Sequence, residues 1–100
     1  MLVAVLVADL HIPDALSRKD KRRRVAGLIG RIRAKFPVSV AEVGFQELLQ
    51  RSRIGLALVT TDARMARSMF DRISDLVGRD GEVEMIDRTI EIFRMDGPDR

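Results

Sequence analysis

The first ten residues, Met1 to Leu10 (MLVAVLVADL), are apolar at almost every position. Both alternating sets of side chains are then apolar, which predicts a strand in the middle of a sheet, covered on both faces. Residues 11 to 16 (HIPDAL) contain Pro13 and read as a connecting loop. Ser17 followed by Asp20 has the spacing of a capping box, so a helix should begin there. Val25, Leu28, Ile29, Ile32 and Phe36 then recur at helical spacing, and Pro37 stops the helix.

Val38 to Phe45 reads as a second strand, at a sheet edge. Gln46 to Arg53 reads as a polar loop with one helical turn around Glu47 to Leu49. Ile54, Leu56 and Leu58 alternate with Gly55 and Ala57, predicting a third strand with one large-residue face and one small-residue face. Thr61 and Asp62 cap a second helix whose apolar stripe is Ala66, Met69, Phe70, Ile73 and Val77. Arg79-Asp80-Gly81 forms a turn. Glu82 to Arg94 is a last strand whose apolar positions change phase, Val83 and Met85 on one face, Ile86, Ile90 and Ile92 on the other. Such a change predicts a bulge or a strong twist.

The order is βαββαβ, the ferredoxin-like split βαβ motif: an α+β fold with a four-stranded antiparallel sheet and two helices on one face. The expected organisation is one domain over residues 1–94 and a flexible tail over 95–100. The first and third strands should be central. One face of the first strand lies under the helices, and the other needs a different cover, because a bare apolar face is a large patch for so small a chain. A homodimer through the sheet, face to face or edge to edge, is the simplest cover. Phe36 and Phe70 lie on helical stripes, and Phe45 and Phe93 on edge strands. With no Tyr or Trp in the chain, base stacking on the sheet is disfavoured.

Composition supports a globular chain: 100 residues, 46% hydrophobic and 33% charged. Cysteine is absent, so disulfides, thiolate metal sites and Cys nucleophiles are excluded. No apolar run approaches a membrane span, and the N-terminal run lacks a basic leader region, so the expected location is cytoplasmic, away from membranes.

The net charge of +3 hides an asymmetry. Residues 17–36 carry nine bases against one acid and are +8, residues 1–16 are −2, and residues 37–100 are −3. Six of the seven residues 18–24 are basic, more than solubility needs. A concentrated patch of this kind attracts polyanions even when the net charge is small.

Enzyme chemistry finds little support. His11, with Asp9 and Asp14 nearby in sequence, is the one His in the chain and reads as a hydrogen-bonded residue at a strand end. No second His or Cys can complete a metal site with it. No glycine loop of phosphate-binding type is present, and Ser17 is used as a cap. The chain is read as a non-enzyme without cofactor.

The stretches His11-Ile12-Pro13, Ser17-Arg18-Lys19-Asp20-Lys21-Arg22 and Phe36-Pro37-Val38-Ser39-Val40-Ala41-Glu42-Val43 resemble the YlxP-like family of small bacterial proteins. Gln50-Arg51 and the strand Ile54 to Val59, ending in Thr61-Asp62, look like later blocks of that family, so the likeness spans roughly residues 2–93. It implies the same ferredoxin-like fold and a gene neighbourhood shared with translation initiation and ribosome-maturation factors. It implies no catalytic residue. Lys19, Lys21 and Arg22 match the family's basic motif, Arg23 is common there, and Arg24 is an addition. Arg18 replaces a usual Leu, and Pro37 a usual Asn.

The leading expectation is a binding module for structured RNA or a ribosomal particle. Lys19, Lys21, Arg22, Arg23 and Arg24 would contact phosphates, with Arg51 and Arg53 as second-site contacts. The rival is a protein-interaction module that docks an acidic partner. A small-molecule enzyme built on His11 comes third.

Overall fold

The structure is a computed structural model that describes residues 1–97. Its elements are β1 (Leu2–His11), α1 (Arg18–Lys35), β2 (Ser39–Gly44), β3 (Arg51–Thr60), α2 (Ala63–Gly78) and β4 (Glu84–Arg94). The strands form one antiparallel sheet in the order β2-β3-β1-β4, with both helices on one face. This is the ferredoxin-like arrangement that the sequence pattern predicts. The tail expected over 95–100 lies partly outside the described residues; Met95 itself donates its backbone N–H to the Met1 carbonyl at 2.8 Å, prolonging the β1–β4 pairing.

The caps follow from local chemistry. Ser17 Oγ accepts the Asp20 N–H at 3.1 Å and opens α1. Asp62 does the same for α2, accepting the Met65 N–H at 3.0 Å. Pro37 follows the extended Phe36, so α1 cannot continue. Gly81 turns the chain into β4 at a φ of 83°, where a Cβ is disfavoured.

The alternation along the strands decides what faces the helices. Ala4, Leu6, Ala8 and Leu10 of β1 and Ile54, Leu56 and Leu58 of β3 are buried there, against Val25, Leu28 and Ile32 of α1. From α2 come Ala66, Met69, Phe70, Ile73, Leu76 and Val77. Burying a Leu, Ile or Phe side chain stabilises by roughly 1.5–3 kcal/mol, so this single layer dominates the fold's stability.

The phase change in β4 resolves as a bulge. Asp9 pairs with Asp87 but Leu10 pairs with Met85, so Ile86 is the extra residue, 53% exposed. The slip lets Met85, Ile90 and Ile92 all pack towards the core despite their mixed parity. Ile86, expected beside Ile90 and Ile92, is the residue the bulge ejects.

Two expectations need correction. Strand β3 begins at Arg51, three residues before Ile54, so Arg51 and Arg53 belong to a strand and not to a loop. Residues 46 and 47 form a turn, in which the Leu48 N–H donates to the Phe45 carbonyl at 3.0 Å, in place of a helical turn.

Candidate nucleic-acid interface

The seven basic residues singled out in the sequence fall on three different parts of the molecule. Lys19, Arg22 and Arg23 are exposed on α1, beside the exposed Arg18. At about 100° per residue, these four span an arc of roughly 140° that begins beside Val25 at Arg18 and reaches the side opposite the buried stripe at Arg23. Among the described residues, neither Lys19 nor Arg22 meets a carboxylate; Arg22 Nε donates to the Arg18 carbonyl at 3.3 Å. Arg18 pairs with Glu47 at 3.1 Å and Arg23 with Asp20 at 2.9 Å, with side chains 65% and 61% exposed. Such surface pairs contribute about 0–1 kcal/mol and exchange readily for another anion.

Arg24 is turned inward by comparison. Its side chain is 13% exposed, and its Nε lies 3.2 Å from Asp20. Asp20 therefore receives two guanidinium groups. Hydrogen bonding to Arg23, then to Arg24, holds its carboxyl below the usual range, while the pKa of Arg23 is raised by the Asp20 contact.

Lys21 is not on the surface. It is 3% exposed and shares the buried stripe of α1 with Val25, Leu28 and Ile32. Its Nζ donates to the Phe45 carbonyl at 2.7 Å and the Gln46 carbonyl at 3.5 Å, and lies 3.3 Å from Glu42 Oε2. The same Glu42 oxygen accepts the buried Ser52 hydroxyl at 2.6 Å. The lysine thus joins α1, β2, β3 and the turn between the strands through a paired and hydrogen-bonded charge. Its three donors are committed inside the protein, so a phosphate surface has to be built without it.

Arg51 and Arg53 lie on the opposite side, on the sheet face that carries no helix. Their guanidinium carbons stand 4.9 and 4.6 Å from the centroid of Phe45, whose own backbone takes a positive φ of 58°. Arg53 also forms a two-pronged pair with Asp9, Nε to Oδ1 at 2.6 Å and the terminal nitrogen to Oδ2 at 3.1 Å. That hydrogen bonding depresses the Asp9 carboxyl, helped by the charges of Arg53 and Arg51, and raises Arg53. Arg51 and Arg53 cannot reach an anion held on α1, because the sheet lies between.

His11 is 3.6 Å from Glu84, with no third ligand, and no cluster of three His, Cys, Asp or Glu exists among the described residues. The α2 cations Arg64 and Arg67 were not anticipated. They are exposed in the first turns of that helix, where no acid offsets them, and their acid-free spacing after the Asp62 cap is the signal that marks them. Neither helix is long and apolar enough to cross a membrane.

These features define a ferredoxin-like α+β domain with a basic, exposed helix end and no assembled catalytic group among the described residues. Residues 3–90 match the family described as "Protein of unknown function (DUF503)", and the chain belongs to that family. It is 32% identical over 83 residues to the uncharacterized protein YlxP of Bacillus subtilis strain 168, a match covering 83% of this chain and 90% of that one. Among solved structures it is similar in fold to the de novo designed protein Foldit4, with a TM-score of 0.51 and 11% identity, covering 96% of this chain and all of the other. A de novo designed ferredoxin-fold protein, LFR1 1, gives a TM-score of 0.48 and 13% identity over the whole of this chain and 91% of its own.

Proposed function

We propose that this chain is a binding module for structured RNA, free or within a ribosomal particle, that docks through the N-terminal half of α1. The observation that carries this reading is where the cations stand. Arg18 and Lys19 occupy the first turn of α1, with Arg22 and Arg23 in the next, all exposed. A helix N-terminus already carries about half a positive charge, and stability there favours acids by about 0.3–1 kcal/mol each. Cations at that end oppose folding and favour an anion, because backbone dipole and side chains then act on the phosphate together.

Lys19, Arg22 and Arg23, with Arg18 beside them, contact phosphates. Arg24 stays with Asp20, and Lys21 holds the turn that supplies Glu47 to Arg18. Contacts of this type give affinity and orientation but little sequence information. With three or four phosphates neutralised, log K against log salt on a duplex has a slope of about −3 to −4. The experiment is a fluorescence-anisotropy titration of a structured RNA by native protein and by the Lys19→Glu/Arg22→Glu/Arg23→Glu variant. Loss of binding in the variant, with its fold intact by circular dichroism, supports the reading; equal affinity overturns it.

A second reading has its own observation. Leu16 is 82% exposed and Leu48 47%, on two loops joined by the Ile12 N–H to Gln50 carbonyl bond, next to Arg18. Basic and apolar side chains side by side suit an acidic protein segment with apolar anchors. Leu16→Ser with Leu48→Ser separates the two: it leaves RNA affinity unchanged but weakens a protein partner.

A further inference from the structure

The sheet face without helices has a shape and charge pattern that fits itself. Its β1 column reads Val3, Val5, Val7, Asp9, and the paired β3 column reads Val59, Ala57, Gly55, Arg53. In the two middle rows one column is bulky where the other is small, and in the last row one is acidic where the other is basic, the two being already paired within the protomer. We infer that this face packs against the same face of a second copy of the chain, about a two-fold axis that runs along the strands between β1 and β3.

That axis lays β1 over the partner's β3 at equal height. Val5 then sits on Ala57 of the other protomer, Val7 on the Val43 side chain that leans over Gly55, and Asp9 on its Arg53. Around Gly55 and Ala57 lies a shallow apolar depression of about 260 Å³, also lined by Ser39, Ala41 and Val43, which receives the valines. The same rotation lays β4 over the partner's β2. Phe93, 50% exposed, then falls at the end of β2, where a hollow of about 500 Å³ opens between Val3, Pro37, Ser39 and Val59. Face-to-face sheets keep their strands within about 30° of each other, so the central rows stay matched.

The matched columns select this occupant, and the area sets how they must meet. Four strands about 4.8 Å apart, six residues long in β2 and ten or eleven in the others, give a footprint of roughly 600 Å². A stable interface needs about 800 Å² from each partner, so side-chain relief over the whole face is required, and the axis must pass through its middle. The face carries Asp9, Glu84, Asp87 and Glu91 against Arg51 and Arg53, an acidic balance that repels a phosphate backbone, whereas the two-fold sets Asp9 against Arg53 and Glu91 against Ser39 of the second copy. The interface leaves α1 free and is independent of the RNA reading.

The test is sedimentation equilibrium of the native chain, Val59→Glu, Phe93→Glu and Arg22→Glu. Val59 and Phe93 are at least half exposed, so their variants keep the fold, checked by circular dichroism. A native dimer, weakened at least tenfold by Val59→Glu and by Phe93→Glu and unchanged by Arg22→Glu, is expected. The chain has no cysteine, so Ser39→Cys and Glu91→Cys proteins can be mixed and treated with a short bismaleimide. These residues sit on opposite edges of the row Ser39–Ala57–Val5–Glu91 and face each other across the axis. The mixture should cross-link several-fold more than either protein alone. A native monomer at high micromolar concentration, a dimer weakened only by Arg22→Glu, or cross-linking of Glu91→Cys to itself as efficient as in the mixture overturns the inference.

Discussion

The two helices pack on the same sheet, but α2 buries six side chains and the longer α1 only four, and the two stripes are built differently. The stripe of α2 is wholly apolar: Ala66, Met69, Phe70, Ile73, Leu76 and Val77. That of α1 is Lys21, Val25, Leu28 and Ile32, with a cation where α2 would place a methyl group. The buried face of α2 is held by apolar burial, which is non-directional, and its polar ties, Arg88 to Ser74 and Asp71, lie on the surface. Helix α1 is held partly by a directed charge that must find Phe45, Gln46 and Glu42 in fixed places. The difference teaches that a run of basic residues mixes two kinds of lysine and arginine, those that hold the fold and those left over for a ligand.

The largest expected effect lies in α2. Phe70→Ala empties the centre of the core and should cost about 3–5 kcal/mol in urea unfolding. Lys21→Ala should follow, at about 2–4 kcal/mol, because it strands Glu42 and the Phe45 carbonyl without their donor. If Lys21→Ala costs no more than a surface substitution, within about 0.5 kcal/mol, the contrast between the helices collapses.

Acid should separate the helices next. The depressed Asp20 carboxyl, bonded first to Arg23 and then to Arg24, contributes fully above its unfolded value near 4 and loses that contribution as pH falls through the lower folded value. Asp20→Asn should therefore flatten the acid limb of thermal stability below about pH 4, measured by calorimetry across pH. The smallest effect has the opposite sign. Lys19→Glu places an acid in the first turn of α1 and should raise stability by about 0.3–1 kcal/mol while RNA affinity falls. A loss of stability there would mean that Lys19 holds the fold, as Lys21 does.

Much of this was legible in the chain. The α2 stripe, both N-caps, the central place of β1 and β3 and an irregularity in β4 all follow from spacing and phase, whereas its position at Ile86 comes from the pairing with β1. Lys21 lies four, seven and eleven residues before Val25, Leu28 and Ile32, so its burial was written in the same period. What the pattern lacks is the receiver: the Phe45 and Gln46 carbonyls are turned inward by a left-handed residue twenty-four positions away. The strand placement of Arg51 and Arg53 was hidden for a related reason. Their alternation with Ser52 and Ile54 is that of a strand, but its buried member is a serine satisfied by Glu42, which no hydrophobic count records.

The exposed face of α1 is tested most sharply by the salt dependence of RNA binding in native protein and in the single neutralisations Lys19→Gln, Arg22→Gln and Arg24→Gln. Log K should fall with log salt, and Lys19→Gln and Arg22→Gln should each make the slope shallower by about 1, whereas Arg24→Gln should leave it unchanged. A slope that stays the same in all three, or that responds only to Arg24→Gln, would contradict the assignment of the exposed face of α1 as the anion-binding surface.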